Sequence, residues 1–228
     1  MEAPVNTPAA VFDVDGTLVD TNHLHTVCWW EALRQAGHRV PFTRILGAIG
    51  LGSADLLAHV LGEDHDRDGD ADISAGHKAL YGTYYDRLAP FDRAADLLRE
   101  LHVEGWPVVL ATSAGGPELA ALRAALDADD AIDATASADD VAAGKPAPDP
   151  VLHALEQVDA EAAGSVFVGD SVWDMRAARA AGLHAIGVLS GGVPRADLVA
   201  AGAREVYEDT AELFAKLGDS AFARRGTA

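Results

Sequence analysis

One cysteine, Cys28, stands in 228 residues, so no internal disulfide can staple the chain. Lysine is almost as scarce: Lys78, Lys145 and Lys216 are all there are. No apolar run approaches the roughly 20 residues that cross a bilayer. The opening MEAPVNTPAA lacks the basic region and apolar stretch of a secretory signal. With a lone thiol that suits a reducing compartment, the expectation is a cytoplasmic protein. Basic residues are outnumbered, 17 Lys and Arg against 36 Asp and Glu, for a formal charge of −19. Such a surface repels nucleic acid and anionic membranes, and neither is expected as a partner. What the chain does have is apolar substance: 49% of its residues, enough for a sizeable core.

That apolar content is concentrated in short runs that end abruptly. AAVFDVDGT, PVVLATSAGG, SVFVGDS and HAIGVLSGG are valine-rich and lack polar alternation, the pattern of strands buried on both faces of a parallel sheet. AIDATASADD is a weaker strand candidate between the second and third. Helical patterns separate them: FDRAADLLRELHVEG, GPELAALRAALDA, DPVLHALEQV, WDMRAARAAG, PRADLVAAGA and TAELFAKLG. Strand alternating with helix implies right-handed βαβ units and a doubly wound α/β core of the Rossmann type. Residues 21–89 break the rhythm. They hold NHLHTVCWWEALRQAG, SADLLAHVLG and ISAGHKALYGTYYDRL but no buried strand, and glycine and proline punctuate them. The expected organisation is a core from residues 1–20 and 90–228, with an all-helical insert over 21–89. The polar tail DSAFARRGTA is expected to fray.

Ligands of an open parallel sheet bind beyond the carboxyl ends of its strands. Here those ends carry Asp13 and Asp15, then Thr112 and Ser113, then Asp170 with Asp174 one helical turn later. Lys145 sits in AAGKPAPDP, just before a helix. Clustered carboxylates suit Mg2+, which takes oxygen ligands, water and substrate phosphate. Hydroxyls and a lysine suit phosphate oxygens. Asp13 is then free to attack phosphorus, and Asp15 to protonate the leaving oxygen and later activate water.

DVDGT, VVLATSA, the lysine of GKPAP and GDSVWD together resemble the ordered motifs of the haloacid dehalogenase-like phosphohydrolases, over residue 9 to about 190. The helical insert resembles that family's small α-helical cap, and the likeness is nearest to the branch of phosphoglycolate phosphatases and β-phosphoglucomutase. The resemblance implies Asp13 as nucleophile, forming an aspartyl-phosphate, and Asp15 as general acid/base with its backbone carbonyl on the metal. It implies Thr112 on the transferring phosphoryl group, Lys145 beside nucleophile and phosphate, Asp170 on Mg2+ and Asp174 supporting the metal site. Gly16 and Ser113 complete the phosphate-binding candidates. Dehalogenating members lack the second aspartate, so Asp15 argues for phosphate chemistry. β-Phosphoglucomutase carries a threonine and histidine spaced like Thr21 and His25, which couple cap closure to the acid/base. Its phosphate-holding cap arginine has no counterpart around Ser53, which weighs against a mutase. The expected activity is therefore a Mg2+-dependent phosphatase acting on a small phosphorylated metabolite, with hinges near Val19–Thr21 and Ala89–Phe91.

Other readings compete at each motif. Asp-Gly pairs are common in plain turns, and GDSVWD also reads as a helix cap. The GK of AAGKPAP lacks P-loop glycines and is followed by Pro146, which excludes a nucleotide loop. EDHDRDGDAD opens like a calcium loop through Asp64, Asp66, Asp68 and Gly69, but the closing bidentate acid falls on Ala75; a solvated acidic loop is expected. CWW, residues 28–30, is expected to pack inside the insert. Two alternatives to a phosphatase remain at this point: a sugar phosphomutase, and a non-enzymatic receiver-like module that merely holds a phosphoryl group.

Overall fold

In the computed structural model, which describes residues 7–137 and 143–226, six parallel strands form one sheet in the order β3-β2-β1-β4-β5-β6. They are Pro8–Phe12 (β1), Val108–Ala111 (β2), Ala134–Ala136 (β3), Glu161–Gly169 (β4), His184–Val188 (β5) and Glu205–Tyr207 (β6). The doubly wound expectation is met, with β3 in the weak candidate segment and β6 an added edge strand. The chain builds outward from β1 to β3 on one side, then from β4 to β6 on the other. β1 and β4 therefore meet where the winding reverses, the place where such sheets open a crevice. Phe12 pairs with Val168, so Asp13 and Asp170 leave adjacent strands at one edge.

Alternating side chains of these strands feed two separate cores. Phe12, Leu110, Val168 and Ile186 face Leu97, Leu98 and Leu101 of Ala94–Val103 (α5) and Leu213 of Thr210–Ala215 (α10). Val11, Val109 and Phe167 face the helices Asp149–Glu156 (α7), Val172–Ala181 (α8) and Arg195–Ala201 (α9). Gly116–Leu126 (α6) follows β2. The tail does not fray where it was expected to begin: Phe222 is buried, stacked on Phe12 at 6.2 Å and set edge-on to Trp106 at 5.2 Å. Residues 1–6, the weak strand candidate's last three residues and residues 227–228 lie outside the described residues, and with them part of the leader and tail readings.

Between β1 and α5 come Asn22–Gln35 (α1), Phe42–Leu46 (α2), Ser53–Leu61 (α3) and Asp70–Tyr81 (α4). Trp29, Leu33, Ile45, Leu57 and Ile73 give them a core of their own, and Trp173 of α8 packs against it. Trp29 packs in this core, as expected of CWW, and also lines the cavity described below. The two chain crossings into this segment run side by side: Asp20 N–H donates to the Ala89 carbonyl at 3.0 Å and Phe91 N–H to that of Leu18 at 2.9 Å. Among the described residues no helix is long and apolar enough to cross a membrane.

Candidate active site

Asp13 lies one residue beyond β1, only 4% exposed, and its N–H donates to the Val168 carbonyl of β4 at 2.9 Å. The Lys145 ammonium donates to Asp13 Oδ1 and pairs with Asp174 Oδ1 at 2.8 Å. Burial works against that ammonium, but the two carboxylates hold its pKa above the ordinary lysine value. Asp174 fills a second post. Its Oδ2 accepts from Ser171 N–H at 3.0 Å and Ser171 Oγ at 2.6 Å, the capping box that starts α8. Asp170 precedes this cap. Its Oδ1 accepts from Thr17 Oγ at 2.9 Å and its Oδ2 from Asn22 Nδ2 at 2.8 Å.

One oxygen from each of Asp13, Asp170 and Asp174 falls within 4.8 Å of the others. Burial and the Asp174 charge push Asp170 up to about 7. The same two causes raise Asp13, against the pull of Lys145. Buried carboxylates that repel one another this strongly fit a divalent cation, and an all-oxygen donor set fits a hard one. The structure thus brings Asp13, Asp170, Asp174 and Lys145 together. The Asp15 carboxylate does not join this trio; one of its oxygens groups with His25 and Glu118 instead.

The Asp15 side chain belongs to a different neighbourhood. Its Oδ1 accepts from Thr21 Oγ at 2.7 Å and meets His25 Nε2 at 3.1 Å. Burial opposes its charge, yet His25 and Thr21 hold its pKa below the usual carboxylate value. Burial likewise opposes charge on His25, while Asp15 and then Glu118 raise its pKa. His25 Nδ1 meets His77 Nε2 at 3.1 Å. Burial and the neighbouring His25 press His77 down to about 2, which favours its neutral form. Trp29 and Tyr81 stack on this histidine pair, at 4.1 Å from His77 and 3.9 Å from His25. Thr21 and His25, singled out by the resemblance to β-phosphoglucomutase, both reach Asp15; His77 had no signal beyond its residue type.

Gly16 turns the chain just after Asp15 with φ +76°, and a Cβ there would lie 2.3 Å from Asn22 Nδ2. Its N–H already donates to the Val19 carbonyl at 2.8 Å and its carbonyl accepts from Ser190 Oγ at 2.7 Å. Gly16 therefore shapes the turn, and both its backbone groups are engaged there. Gly191 is as constrained: a Cβ would sit 1.7 Å from Asp170 Oδ2. Thr112 follows β2, is buried, and accepts from Ala114 N–H at 3.0 Å, which leaves its hydroxyl proton to donate. Ser113 is exposed and lines the cavity described next. Thr17, Asn22 and Gly191 were missed as partners of Asp170; Thr17 stands inside DVDGT, so adjacency to the motif was the available signal.

A cavity of about 610 Å3 opens beyond Asp15, walled by the helical insert on one side and by residues 113–118 on the other. Ser53 lines it, and among the described lining residues Lys78 is the one lysine or arginine. Glu118, in the first turn of α6, points its carboxylate at His25 Nε2 from 3.6 Å. Burial lifts its pKa to about 7 even with His25 pulling down. The acidic loop 63–72 is organised differently. His65 Nε2 pairs with Asp70 Oδ1 at 2.9 Å, and among the described residues the loop gathers no trio of metal-ligating groups.

Comparison with known proteins agrees with this geometry. The family model for haloacid dehalogenase-like hydrolases matches residues 7–182. A phosphoglycolate phosphatase of Nitrosospira multiformis is 30% identical over 190 residues, spanning 81% of this chain and 84% of that protein. The crystal structure of a hydrolase from Pseudomonas syringae superposes with a TM-score of 0.88 at 32% identity, covering 93% of this chain and 99% of that one. β-Phosphoglucomutase from Clostridium difficile shares the fold, with a TM-score of 0.82 at 16% identity over 95% and 97% of the two chains. The motif order read from the sequence, the buried aspartate–lysine centre at the sheet edge and these matches agree: the chain is an enzyme of the haloacid dehalogenase-like hydrolase family, related to its phosphatases.

Proposed function

We propose that the protein is a Mg2+-dependent phosphatase that hydrolyses a small phosphomonoester through an aspartyl-phosphate on Asp13. The observation that carries this reading is the division between two aspartates only two positions apart. Asp13 is held by Lys145 beside Asp170 and Asp174, whereas Asp15 is held by Thr21 and His25 and faces the cavity. One is placed to attack and the other to handle the proton. Mg2+, held by Asp13, Asp170 and the Asp15 backbone carbonyl with Asp174 behind them, would neutralise phosphate charge where the nucleophile approaches.

Asp13 attacks phosphorus, the P–O bond to the alcohol breaks, and the leaving oxygen takes a proton from Asp15. The Asp15–His25 pair holds one proton between its members, which allows Asp15 to give it up here and recover it from water in the second step. That water then cleaves the aspartyl-phosphate, freeing inorganic phosphate and the Asp13 carboxylate. Lys145 offsets charge on nucleophile and phosphate, and Thr112 donates its hydroxyl proton to a phosphoryl oxygen. Residues 21–89 act as a cap hinged at Val19–Thr21 and Ala89–Phe91, excluding bulk water when closed. The phosphoglycolate phosphatases among its relatives support a small phosphorylated substrate, and a cytoplasmic location suits one.

The deciding experiment is phosphate release from a panel of phosphomonoesters with and without Mg2+, alongside Asp13→Asn. The wild type is expected to need the metal, and the variant to lose at least about a thousandfold in kcat while remaining folded. Full activity in Asp13→Asn, or release indifferent to chelation, would refute the mechanism.

A further inference from the structure

The cavity wall holds a carboxylate that the hydrolytic mechanism does not use. Glu118 is buried to within 13% of its side-chain surface, and among the described residues it accepts no hydrogen bond. Its nearest cation, His25, stands 3.6 Å away and already serves Asp15 at 3.1 Å. A carboxylate largely withdrawn from bulk water gains from any hydrogen-bond donor that a ligand brings. Glu118 is placed to receive them. Its oxygen, an Asp15 oxygen and a His25 nitrogen lie within 4.8 Å of one another. Asp15 must touch the leaving oxygen, so the leaving group's first carbons pass beside Glu118.

This position has two consequences for selection. A hydroxyl next to the ester carbon would find an acceptor ready, whereas a carboxylate or second phosphate there would face Asp15 and Glu118 together. Lys78, exposed on the facing wall formed by the insert, is the one lysine or arginine among the described lining residues that could draw a second anion, and it forms no ion pair among the described residues. Glu118 is close enough to feel the Lys78 charge, so an anion drawn to Lys78 would also feel Glu118. At about 610 Å3 the space is generous for a two-carbon acid and suits a polyol of several carbons.

We propose that Glu118 is a specificity-determining residue that accepts a hydrogen bond from a leaving-group hydroxyl, selecting uncharged hydroxylated monophosphates over esters bearing a second anion close to the phosphate. The proposal rests on the phosphatase reading above. It predicts that phosphoglycolate, the substrate named for its relatives, is a poor substrate of this enzyme.

The test measures kcat/KM of the Mg2+-loaded full chain on glycerol 3-phosphate, glucose 6-phosphate, phosphoglycolate and 2-phospholactate, for wild type, Glu118→Gln, Glu118→Asp and Lys78→Ala. The better hydroxylated monophosphate is expected to exceed phosphoglycolate by tenfold or more in the wild type. Glu118→Gln, which keeps the shape and turns part of the acceptor into a donor, is expected to shrink that ratio about tenfold. Glu118→Asp should keep its direction. A merely structural role would lower all substrates alike and leave the ratio unmoved, and that result overturns the proposal. So does a wild type that prefers phosphoglycolate or 2-phospholactate, or a preference that follows Lys78→Ala instead. Absence of turnover on every ester would defeat the phosphatase reading itself, a result distinct from these.

Discussion

Thr21 occupies the N-cap position of α1, where its hydroxyl would ordinarily accept from the helix's free N–H groups. It makes no such bond and donates to Asp15 instead. A residue that forgoes a local stabilising contact to reach a buried carboxylate is spent on function, and the histidine pair behind it shows the same priority. His77 keeps its neutral form at the expense of proton affinity, with a pKa near about 2 where an ordinary imidazole has 6.5. Below pH 6.5 the unfolded chain binds a proton that folded His77 refuses, so stability falls as the pH drops. The effect is roughly 1.4 kcal/mol per pH unit, about 2 kcal/mol by pH 5. His25 has the opposite sign, because its raised pKa contributes stability at low pH that is lost as pH rises through the folded value. Thermal melts between pH 7.5 and 5 should therefore show a shallower acid-side loss in His77→Gln than in the wild type. Parallel pH profiles would mean that His77 is protonated in the fold after all.

At the scale of elements, one contact ties the helical insert to the sheet layers from outside the chain crossings. Trp173, on α8, donates its indole N–H to the Gly47 carbonyl at 3.1 Å and meets His59 edge-on at 5.4 Å. Closure of the insert over the site is expected to draw on this contact. Trp173→Phe keeps a ring but removes the donor, a loss of about 1 kcal/mol. That should lower kcat/KM by about fivefold with little change in melting temperature. Unchanged kinetics would mean that the contact does not favour the closed arrangement. The elements themselves were legible to different degrees. Strands β1, β2, β4 and β5 announce themselves because burial on both faces demands unbroken apolar runs. β6 does not: three residues, EVY, with a glutamate at one end, carry too little pattern at a sheet edge. α2 is a five-residue helix between Pro41 and the glycine-rich turn GAIGLG, and escapes periodicity for the same reason.

The whole molecule joins its ends to its middle. Phe222, near the C-terminus, is buried against Phe12 at the end of the central strand and against Trp106 ahead of β2. Phe222→Ala is expected to destabilise the fold by about 3–5 kcal/mol, seen as an earlier urea midpoint. A midpoint within error of the wild type would show that the tail is not part of the core. The polar composition around Phe222 hid this, since a single aromatic in a charged tail has no period to read. The candidate site was legible where chemistry coincides with a strand end, as at Asp13, Asp15, Thr112 and Asp170. It was illegible at Glu118, because an acid in the first turn of a helix is what the helix dipole favours anywhere. Only the fold reveals that this one faces Asp15.

The central place of β1 also bears on how the protein is made. The strand that leads into Asp13 and Asp15 leaves the ribosome well before its partner β4, which leads into Asp170 and Asp174 and follows only after β3 and α7 have been translated. A nascent or prematurely terminated chain holds the aspartate pair without the lysine or the opposing carboxylates. On the proposed mechanism, catalysis is thereby withheld until translation has passed β4, and abandoned fragments are expected to be inert toward phosphate esters.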